Sequence, residues 1–353
     1  MFFEWHGQQP VMLRCIDKYY ETYDTVSIKL ADCTEPRQFQ YKPGQFVTLG
    51  ISIDGHMEHR AYSISSPSHE PYLQLTIKRV SGGKVSNYII DTLQVDDKVQ
   101  VLPPTGRFNC IDCPPTYHKG QAQVLLISAG CGITPVFAMT QHWLNQATPA
   151  ERPADIVFLH SARSPEATIY YDQLETLDAV YDNFHLQLLL KNRDGTQHTQ
   201  GRLRESLLQA LVPDLRQRSV YLCGPSQFMQ DVATYLQALG CDMANVYQES
   251  FTPTSHSHAN AEHASQTVQV TVPDYAQTIN AQPGQLLADV LEEAGLPIVT
   301  ACRSGICGSC KCRVQHGEVS SLSQETLSEE EIAQGYVLAC SATINTDVEV
   351  ELG

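Results

Sequence analysis

Four cysteines near the end of the chain have a spacing that suits iron binding. Cys302, Cys307 and Cys310 lie in one loop as C-x4-C-x2-C, and the fourth, Cys340, lies further along the chain. This is the plant-type spacing of the thiolate ligands of a [2Fe–2S] cluster, which exchanges single electrons. The loop ACRSGICGSCK also contains small residues that let backbone N–H groups approach the cluster sulfurs. The spacing therefore predicts a protein that moves electrons one at a time.

The alternatives for these cysteines are a zinc site or scattered structural cysteines. Zinc sites usually pair two short Cys-x2–4-Cys hooks, whereas both gaps here fall within one loop, which favours iron. Cys312 forms a C-x-C with Cys310 and could be a replacement ligand, but we expect it not to bind the cluster. Cys110 and Cys113 form a C-x2-C without a second hook, and we interpret them as incidental thiols.

Length and composition indicate a globular protein of two to three domains. The chain has 353 residues, of which 42% are hydrophobic and 18% are charged. The net charge of −16 argues against a nucleic-acid partner. The uncharged stretch 120–150 is interrupted by glycine, proline and glutamine, so we expect no membrane span. Twelve cysteines without an export signal at the start suggest a reducing compartment, and we expect the cytoplasm.

Charge is unevenly distributed along the chain. Residues 265–353 contain twelve acidic and three basic side chains, and the three bases are Arg303, Lys311 and Arg313 in or beside the cysteine loop. A negative module with a basic mouth at the cluster could orient a redox partner by its field. An acidic surface that serves only solubility is the equally weighted alternative.

The pattern of elements divides the chain into three domains and a linker. Short strands bounded by Pro, Gly and Asp fill the first part, which predicts a small antiparallel barrel over 1–112. Strands then alternate with helices, which predicts a doubly wound parallel sheet over 113–251. The segment 252–266 has no apolar period and is predicted to be a linker, and its irregularly spaced histidines do not favour a metal site. The cysteine loop belongs to a third domain, 267–353.

Two stretches in the barrel have the residue types of a flavin site. In HRAYSISS, Arg60 could bind a pyrophosphate oxygen, Tyr62 could provide a stacking surface and Ser63 could donate to the isoalloxazine edge. Downstream, the glycines and serine of Gly82–Ser86 begin a predicted helix and could form an anion cradle of backbone N–H groups. A pyrophosphate indicates FAD, with the single-phosphate FMN as the alternative.

The segment ISAGCGITP has the composition of a dinucleotide-binding turn. Gly130 and Gly132 close a predicted strand, and Thr134 and Pro135 open a helix, so a pyrophosphate could approach backbone donors. The segment is neither G-x-G-x-x-G nor a Walker A loop. Cys131 within it is expected to be a small residue near the dinucleotide and not a nucleophile.

Together, in this order, these motifs resemble those of the ferredoxin–NAD(P)+ reductase superfamily. The superfamily's motifs with counterparts here are R-x-Y-[ST], G-G-x-x-S, G-x-G-x-T-P and C-G-P. The resemblance covers essentially the whole chain. The resemblance implies an antiparallel β-barrel for flavin, a doubly wound α/β nucleotide fold and a β-grasp α+β ferredoxin domain. For FAD it implies Arg60, Ala61, Tyr62, Ser63, Ile77, Lys78, Arg79, Gly82, Gly83, Val85 and Ser86. For NAD it implies Gly130, Gly132, Thr134, Pro135, Arg163, Ser164, Cys223, Gly224 and Pro225. Close to the nicotinamide and flavin it implies Ser63, Cys223, Glu249 and Phe251, and for the cluster Cys302, Cys307, Cys310 and Cys340.

Domain order narrows the resemblance to two branches of the superfamily. A C-terminal [2Fe–2S] domain after the flavin and nucleotide domains is similar to the oxygenase reductases and to the NADH reductases of hybrid cluster protein. The stretches PTGRFNC and EIAQGYVLACS are more similar to the latter. The resemblance implies that NADH gives a hydride to FAD and that single electrons pass through the cluster to a partner protein, hybrid cluster protein. The alternative is a reductase component of an oxygenase or desaturase.

Three further expectations concern the nucleotide, the class of protein and the catalytic groups. Arg163 and Ser164 could grip the 2′-phosphate of NADPH, but the resemblance favours NADH. A redox sensor would need an output module, and no part of the chain remains for one. No catalytic side chain is expected beyond the cofactors, because the cofactors perform the chemistry and the protein orients them.

Overall fold

A computed structural model of the chain describes residues 1–7, 9–145, 153–251, 267–301, 303, 305, 307–324 and 326–352. The predicted linker 252–266 and the predicted ligand Cys302 lie outside these residues. The chain divides into two compact units, Met1–Glu58 with Tyr62–Phe251 and His59–Ala61 with Thr252–Gly353.

The first part of the chain forms a closed antiparallel barrel. Its strands are β1 (Val11–Thr22), β2 (Thr25–Asp32), β3 (Phe46–Ile53), β4 (His56–Ser63), β5 (Leu73–Lys78) and β6 (Lys98–Val101), in the order β4-β3-β6-β1-β2-β5. A bridge between Ile64 and Leu75 joins the two edges. Alternation along β2 puts Val26, Ile28 and Leu30 in the barrel core, each fully buried. Helix α1 (Lys84–Asp91) follows β5.

The second part is a doubly wound α/β fold. After the short β7 (Tyr117–His118), its parallel strands are β8 (Gln121–Ala129), β9 (Asp155–Ala162), β10 (Phe184–Leu190), β11 (Thr199–Gln200), β12 (Ser219–Cys223) and β13 (Val246–Glu249). Its helices are α2 (Ile133–Asn145), α3 (Tyr171–Val180), α4 (Glu205–Leu211) and α5 (Ser226–Ala238). The order β11-β10-β9-β8-β12-β13 reverses between β8 and β12, and helices cover both faces of the sheet. Ligands of such sheets bind beyond the carboxyl ends of the strands at this reversal.

The second unit contains a mixed β-grasp sheet. Its strands are β14 (Val268–Val272), β15 (Gln277–Ala281), β16 (Lys311–His316), β17 (Val319–Ser321), β18 (Tyr336–Leu338), β19 (Ala342–Ile344) and β20 (Val348–Leu352), and its helices are α6 (Leu287–Glu293) and α7 (Glu329–Ala333). The main sheet has the order β15-β14-β20-β16-β18, with β14 and β20 parallel, and β17 pairs with β19. Helix α6 buries Leu287, Val290 and Leu291 in the core of the sheet.

The predicted fold class is confirmed for all three parts. The described residues of the uncharged stretch 120–150 form strand β8, the 3-10 helix Gly130–Gly132 and helix α2, which has 13 residues. In the part of the chain that the structure describes, no helix is long and apolar enough to cross a membrane.

Candidate functional site

The predicted nucleotide turns meet at the strand-order reversal. Strand β8 leads into a short 3-10 helix, Gly130–Gly132, and then into α2, while β12 leads through Gly224 and Pro225 into α5. Ser128 pairs with Cys223 in register, so the two turns follow neighbouring strand ends. The parallel arrangement thus brings together turns that are about ninety residues apart in the chain.

Gly132 is where these turns touch. A Cβ atom at this position would lie 2.1 Å from the carbonyl oxygen of Cys223 and 2.7 Å from the amide nitrogen of Gly224. Only glycine permits this approach of two backbones. The Thr134 hydroxyl donates to the carbonyl of Cys131 at 3.0 Å, which ties the start of α2 to the turn.

A third strand end completes this edge of the sheet. Glu249, the last residue of β13, pairs in register with Cys223, and both residues are buried. Burial raises the pKa of the Cys223 thiol far above its usual value, and the charges of Glu249 and Cys131 add to the effect. The thiol is therefore neutral and unsuited to nucleophilic chemistry. Phe251, two residues later, has 42% of its surface exposed.

Arg163 and Ser164 follow the next strand, β9, at the same edge. The Arg163 Nη1 atom donates to the hydroxyl of Tyr23 in the barrel at 3.2 Å. Ser164 precedes a short 3-10 helix, and its carbonyl accepts from the Thr168 hydroxyl at 2.8 Å. Arg163 is exposed, so its guanidinium can reach a ligand at this edge.

His160 on β9 is a further residue at this edge, and no sequence motif indicated it. It is fully buried, and its Nδ1 lies 2.8 Å from the hydroxyl of Ser128. Ser128 is two residues before Gly130, where the turn begins. Burial, helped by the charge of Lys78, lowers the pKa of His160 to about 3, so the ring is neutral. A single histidine within the strand sequence DIVFLHSA gives no periodic signal of such a position.

The predicted flavin residues of β4 lie in succession along that strand. Arg60, Ala61 and Tyr62 precede Ser63, at which the strand ends. Ser63 is 5% exposed, and its hydroxyl makes no hydrogen bond to any residue that the structure describes. Buried hydroxyls nearly always have a partner, so this atom suits an acceptor on a bound molecule.

The other predicted flavin residues lie at the end of β5 and the start of α1. Two of the cations already pair with carboxylates: Lys78 with Asp24 at 2.9 Å, and Arg79 with Asp91 at 2.6 Å. Ile77 is buried in the barrel core.

The glycine-rich turn before α1 is tightly packed. A Cβ on Gly83 would lie 2.7 Å from the Ser86 hydroxyl oxygen, which accepts a hydrogen bond from the amide of Val80 at 3.3 Å. Gly82 precedes this contact, and Val85 is buried in the barrel core. The turn therefore leaves the first backbone N–H groups of α1 available to an anion.

Three of the four predicted cluster ligands are buried cysteines of the second unit. Cys307 is 9%, Cys310 is 1% and Cys340 is 3% exposed. The backbone N–H of Cys340 donates to the Cys310 sulfur at 3.5 Å. Gly305 and Gly308 have φ values of +72° and +73°, a conformation that favours glycine and lets the loop curl.

The remaining ligand, Cys302, lies outside the described residues. Within the residues that are described, no group of three or more His, Cys, Asp or Glu side chains is arranged to hold a metal ion. The donor set of buried thiols, with a backbone N–H directed at one sulfur, nevertheless suits an iron–sulfur cluster.

Cys312 is separate from this loop. It lies on β16 with no exposed surface and packs in the core of the sheet. Burial raises its pKa to about 12, with the charge of Cys310 adding to the effect. The same core cluster contains Cys310 and Cys340, so the assignment of Cys312 as a non-ligand stays a prediction.

The three basic residues of 265–353 all have acidic partners. Arg303 pairs with Asp289 at 2.9 Å and with Glu292 on α6. Lys311 pairs with Glu331 at 2.7 Å, and Arg313 lies 3.8 Å from a Glu351 oxygen. These pairs place a carboxylate beside each of the three bases, and the basic mouth stays a prediction.

Family models match each part of the chain. The oxidoreductase FAD-binding domain matches residues 13–110, the oxidoreductase NAD-binding domain matches 126–234, and the 2Fe-2S iron-sulfur cluster binding domain matches 270–345.

Full-length relatives share this arrangement. The glycine betaine monooxygenase reductase subunit of Pseudomonas aeruginosa is 35% identical over 358 residues, which cover 96% of this chain and 94% of that protein. NADH oxidoreductase HCR of Escherichia coli is 34% identical over 323 residues, which cover 91% of each. The solved structure of phthalate dioxygenase reductase is 23% identical, with 97% of each chain covered and a TM-score of 0.60, and so has the same fold. The chain therefore belongs to the ferredoxin reductase family, as an oxidoreductase with FAD-binding, NAD-binding and C-terminal 2Fe-2S ferredoxin domains.

Proposed function

We propose that this protein takes a hydride from NADH onto FAD and passes single electrons through a [2Fe–2S] cluster to hybrid cluster protein. The proposal that electrons leave through the cluster is supported by the contact between Cys310 and Cys340 inside a 2Fe-2S cluster domain. The assigned domains are 1–112 for FAD, 113–251 for the nucleotide and 267–353 for the cluster, with 252–266 as linker. Its twelve cysteines suit a reducing compartment such as the cytoplasm, which is where we place it.

In the flavin site, Ser63 is the residue with the most direct structural support. Its buried hydroxyl, without a partner among the described residues, would donate to the flavin ring. Arg60 would neutralise a pyrophosphate oxygen, and Tyr62 would provide a stacking surface. The segment Gly82–Ser86 would present backbone N–H groups to the phosphates, and the main chain of Ile77–Arg79 would border the flavin.

In the nucleotide site, the contact between Gly132 and Cys223 supports the assignment. The turn Gly130–Pro135 would receive the pyrophosphate at the start of α2, where backbone N–H groups favour an anion. The turn Cys223–Pro225 would border the nicotinamide, with Glu249 and Phe251 close to the flavin. Arg163 and Ser164 would contact the adenosine half of NADH.

The cofactors, when bound, would supply the exchange between two-electron and one-electron chemistry. The chain's own residues would hold them in place and exclude water. Cys302, Cys307, Cys310 and Cys340 would ligate the cluster, and the backbone N–H of Cys340 would stabilise the thiolate of Cys310.

A second acceptor, the oxygenase component of a monooxygenase or demethylase, is favoured by one observation. The glycine betaine monooxygenase reductase subunit matches 96% of this chain at 35% identity, compared with 91% at 34% for NADH oxidoreductase HCR. The motif resemblance in PTGRFNC and EIAQGYVLACS supports hybrid cluster protein.

Anaerobic stopped-flow measurement of acceptor reduction distinguishes the two. The purified protein, with NADH in excess, is mixed with hybrid cluster protein or with the oxygenase component of glycine betaine monooxygenase. We expect hybrid cluster protein to be reduced at least tenfold faster. The cluster unit is strongly acidic, so the rate should fall as salt is raised where the acceptor presents a basic docking face, and should not fall where that face is neutral. Faster reduction of the oxygenase component would overturn the assignment of the acceptor.

A further inference from the structure

Tyr170 has an unusual backbone conformation at the start of α3. Its φ is +63°, in the left-handed region that bulky residues rarely adopt, and only 1% of its surface is exposed. Such a conformation persists where the surrounding contacts hold it. One such contact is Phe137 on α2, whose ring stacks on the Tyr170 ring at a centroid distance of 4.3 Å.

The Tyr170 hydroxyl reaches across from the nucleotide fold to the barrel. It lies 2.5 Å from the hydroxyl oxygen of Thr76 on β5, and both residues are buried. Thr76 is also within hydrogen-bond distance of the Ser27 hydroxyl at 2.7 Å and the Ser65 hydroxyl at 3.3 Å. The Ser27 hydroxyl donates in turn to Glu21 at 2.5 Å. In a buried environment such a network is directional and strong.

The same strand is contacted by the nucleotide turn two residues later. The 3-10 helix Gly130–Gly132 packs against β5, and the Cys131 thiol lies beside the main chain of Lys78. Thr76 comes directly before Ile77–Arg79, the segment assigned to the flavin. Tyr170 and the 3-10 helix Gly130–Gly132, which both belong to the nucleotide fold, therefore contact β5. Their contacts lie at Thr76 and Lys78, directly before and within the segment assigned to the flavin.

We propose that Tyr170 is a positioning residue for hydride transfer. Its hydrogen bond to Thr76 fixes the nucleotide fold against β5. A nicotinamide bound beside the Gly130–Gly132 turn is thereby held at the reacting distance from the flavin. This inference rests on the proposed flavin and nucleotide sites. Hydride transfer is sensitive to the separation of its partners, and a misplacement of about 1 Å can slow a reaction roughly 10²-fold. A hydroxyl that sets this separation acts on the rate and not on nucleotide affinity.

Tyr170→Phe is the decisive variant, because it keeps the stacking on Phe137 and removes only the hydroxyl. The hydroxyl of Thr76 retains Ser27 and Ser65 as partners, so no buried group is left unpaired. Thr76→Ser keeps the hydroxyl on β5 and should retain the wild-type rate. Tyr171→Phe is the matched control, since Tyr171 is the next residue and its hydroxyl bonds instead to His198 at 3.2 Å.

The test is the rate at which NADH bleaches the flavin absorbance in the purified holoprotein, measured by stopped flow over a range of NADH concentrations. In Tyr170→Phe the limiting rate should fall about tenfold while the half-saturating NADH concentration stays within about twofold. The deuterium isotope effect of 4-deuterated NADH should rise, because hydride transfer becomes slower relative to binding. Amide hydrogen exchange should increase in β5 and at the start of α3 and stay unchanged in β12.

Three results would overturn the inference. They are an unchanged limiting rate, a fall of the same size in Tyr171→Phe, or a fall explained by a matching loss of NADH affinity and thermal stability. Failure of the underlying assignments has a different signature: the wild-type protein would then not hold flavin, or NADH would not bleach it.

Discussion

Gly132 and the carbonyl of Cys223 are so close that the addition of one methyl group would put its carbon 2.1 Å from the carbonyl oxygen. This contact joins the turn after β8 to the turn after β12 at the strand-order reversal. The nucleotide site proposed here therefore depends on two backbone segments that fit only when position 132 lacks a side chain.

Gly132→Ala should therefore separate the two turns. We expect the melting temperature of the protein to fall by an amount that corresponds to about 1–3 kcal/mol, typical of overpacking, and KM for NADH to rise. Gly130→Ala is the matched control, because a Cβ there has no atom within 4 Å, although its φ of +56° adds strain of about 1–2 kcal/mol. Thermal unfolding and steady-state ferricyanide reduction measure both effects. A smaller effect on KM in Gly132→Ala than in Gly130→Ala would contradict the proposed contact.

Ser63→Ala should have different effects on the stability of the flavin-free protein and on its affinity for FAD. Without flavin, the loss of a buried and unpaired hydroxyl should leave the stability unchanged or slightly raised. With flavin, the loss of one hydrogen bond of about 0.5–1.5 kcal/mol should raise the Kd for FAD roughly 2- to 10-fold. Titration of the flavin-free protein with FAD, followed by fluorescence, gives the Kd.

Ser65→Ala is the control for this variant. The Ser65 hydroxyl donates to the carbonyl of Gln74 at 3.2 Å, so its removal should destabilise the flavin-free protein by about 1 kcal/mol. The FAD affinity should change little. An unchanged Kd for FAD in Ser63→Ala together with a raised Kd in Ser65→Ala would contradict the proposed role of Ser63.

The C-x2-C pair should be chemically inert. Burial raises the pKa of Cys110 from its usual 9.0 to about 12, with Cys113 adding to the effect, and burial also raises the pKa of Cys113. At pH 8, iodoacetamide should label Cys110 about 10³-fold more slowly than a free cysteine. The folded state holds this proton more tightly than the unfolded chain. The contribution of Cys110 to stability is therefore complete below pH 9 and is lost as the pH rises towards 12.

Mass spectrometry of the labelled protein measures this directly. Rapid labelling of Cys110, or a disulfide between Cys110 and Cys113 after exposure to air, would assign the pair a redox function. The double variant Cys110→Ser with Cys113→Ser should keep full NADH-driven activity.

Arg163→Ala tests the choice of nucleotide. The Arg163 guanidinium is exposed and bonds to the Tyr23 hydroxyl, a position from which it could also contact a 2′-phosphate. We expect kcat/KM for NADH to exceed that for NADPH in the native protein and Arg163→Ala to reduce NADPH use further. Tyr23→Phe keeps the charge of Arg163 and removes its hydrogen bond to Tyr23. It therefore separates the effect of the guanidinium's orientation from the effect of its charge. A native kcat/KM tenfold higher for NADPH and lost in Arg163→Ala would reverse the assignment.

Local motifs predicted the fold class and the family, because their signals lie within short stretches of sequence. The spacing of Cys307 and Cys310, and the glycines of the turn after β8, are examples in which neighbours in sequence act together. The contact between Gly132 and Cys223 follows from the parallel order of β8 and β12, which the alternation of strands and helices indicates only in outline.

Contacts between residues far apart in the chain were not predictable. The partner of the Tyr170 hydroxyl, Thr76, is 94 residues away, and no periodic pattern relates the two. The pairing of Arg303 with α6 likewise depends on how the cysteine loop folds back on that helix. The positions of the three bases can be read from the sequence, whereas their carboxylate partners cannot, and the expected basic cluster mouth stays a prediction.

The central claim, that electrons leave through the cluster, is tested most directly by Cys310→Ser compared with Cys312→Ser. Cys310 is an assigned ligand, and Cys312 is a buried core thiol two residues later on β16. Each full-length protein is assayed with NADH for reduction of ferricyanide and of cytochrome c, and its iron content is measured. In Cys310→Ser we predict loss of the cluster, retention of most ferricyanide reduction and a fall of at least tenfold in cytochrome c reduction, while Cys312→Ser keeps the cluster and both activities. Full cytochrome c reduction by a Cys310→Ser protein that lacks iron would contradict the account.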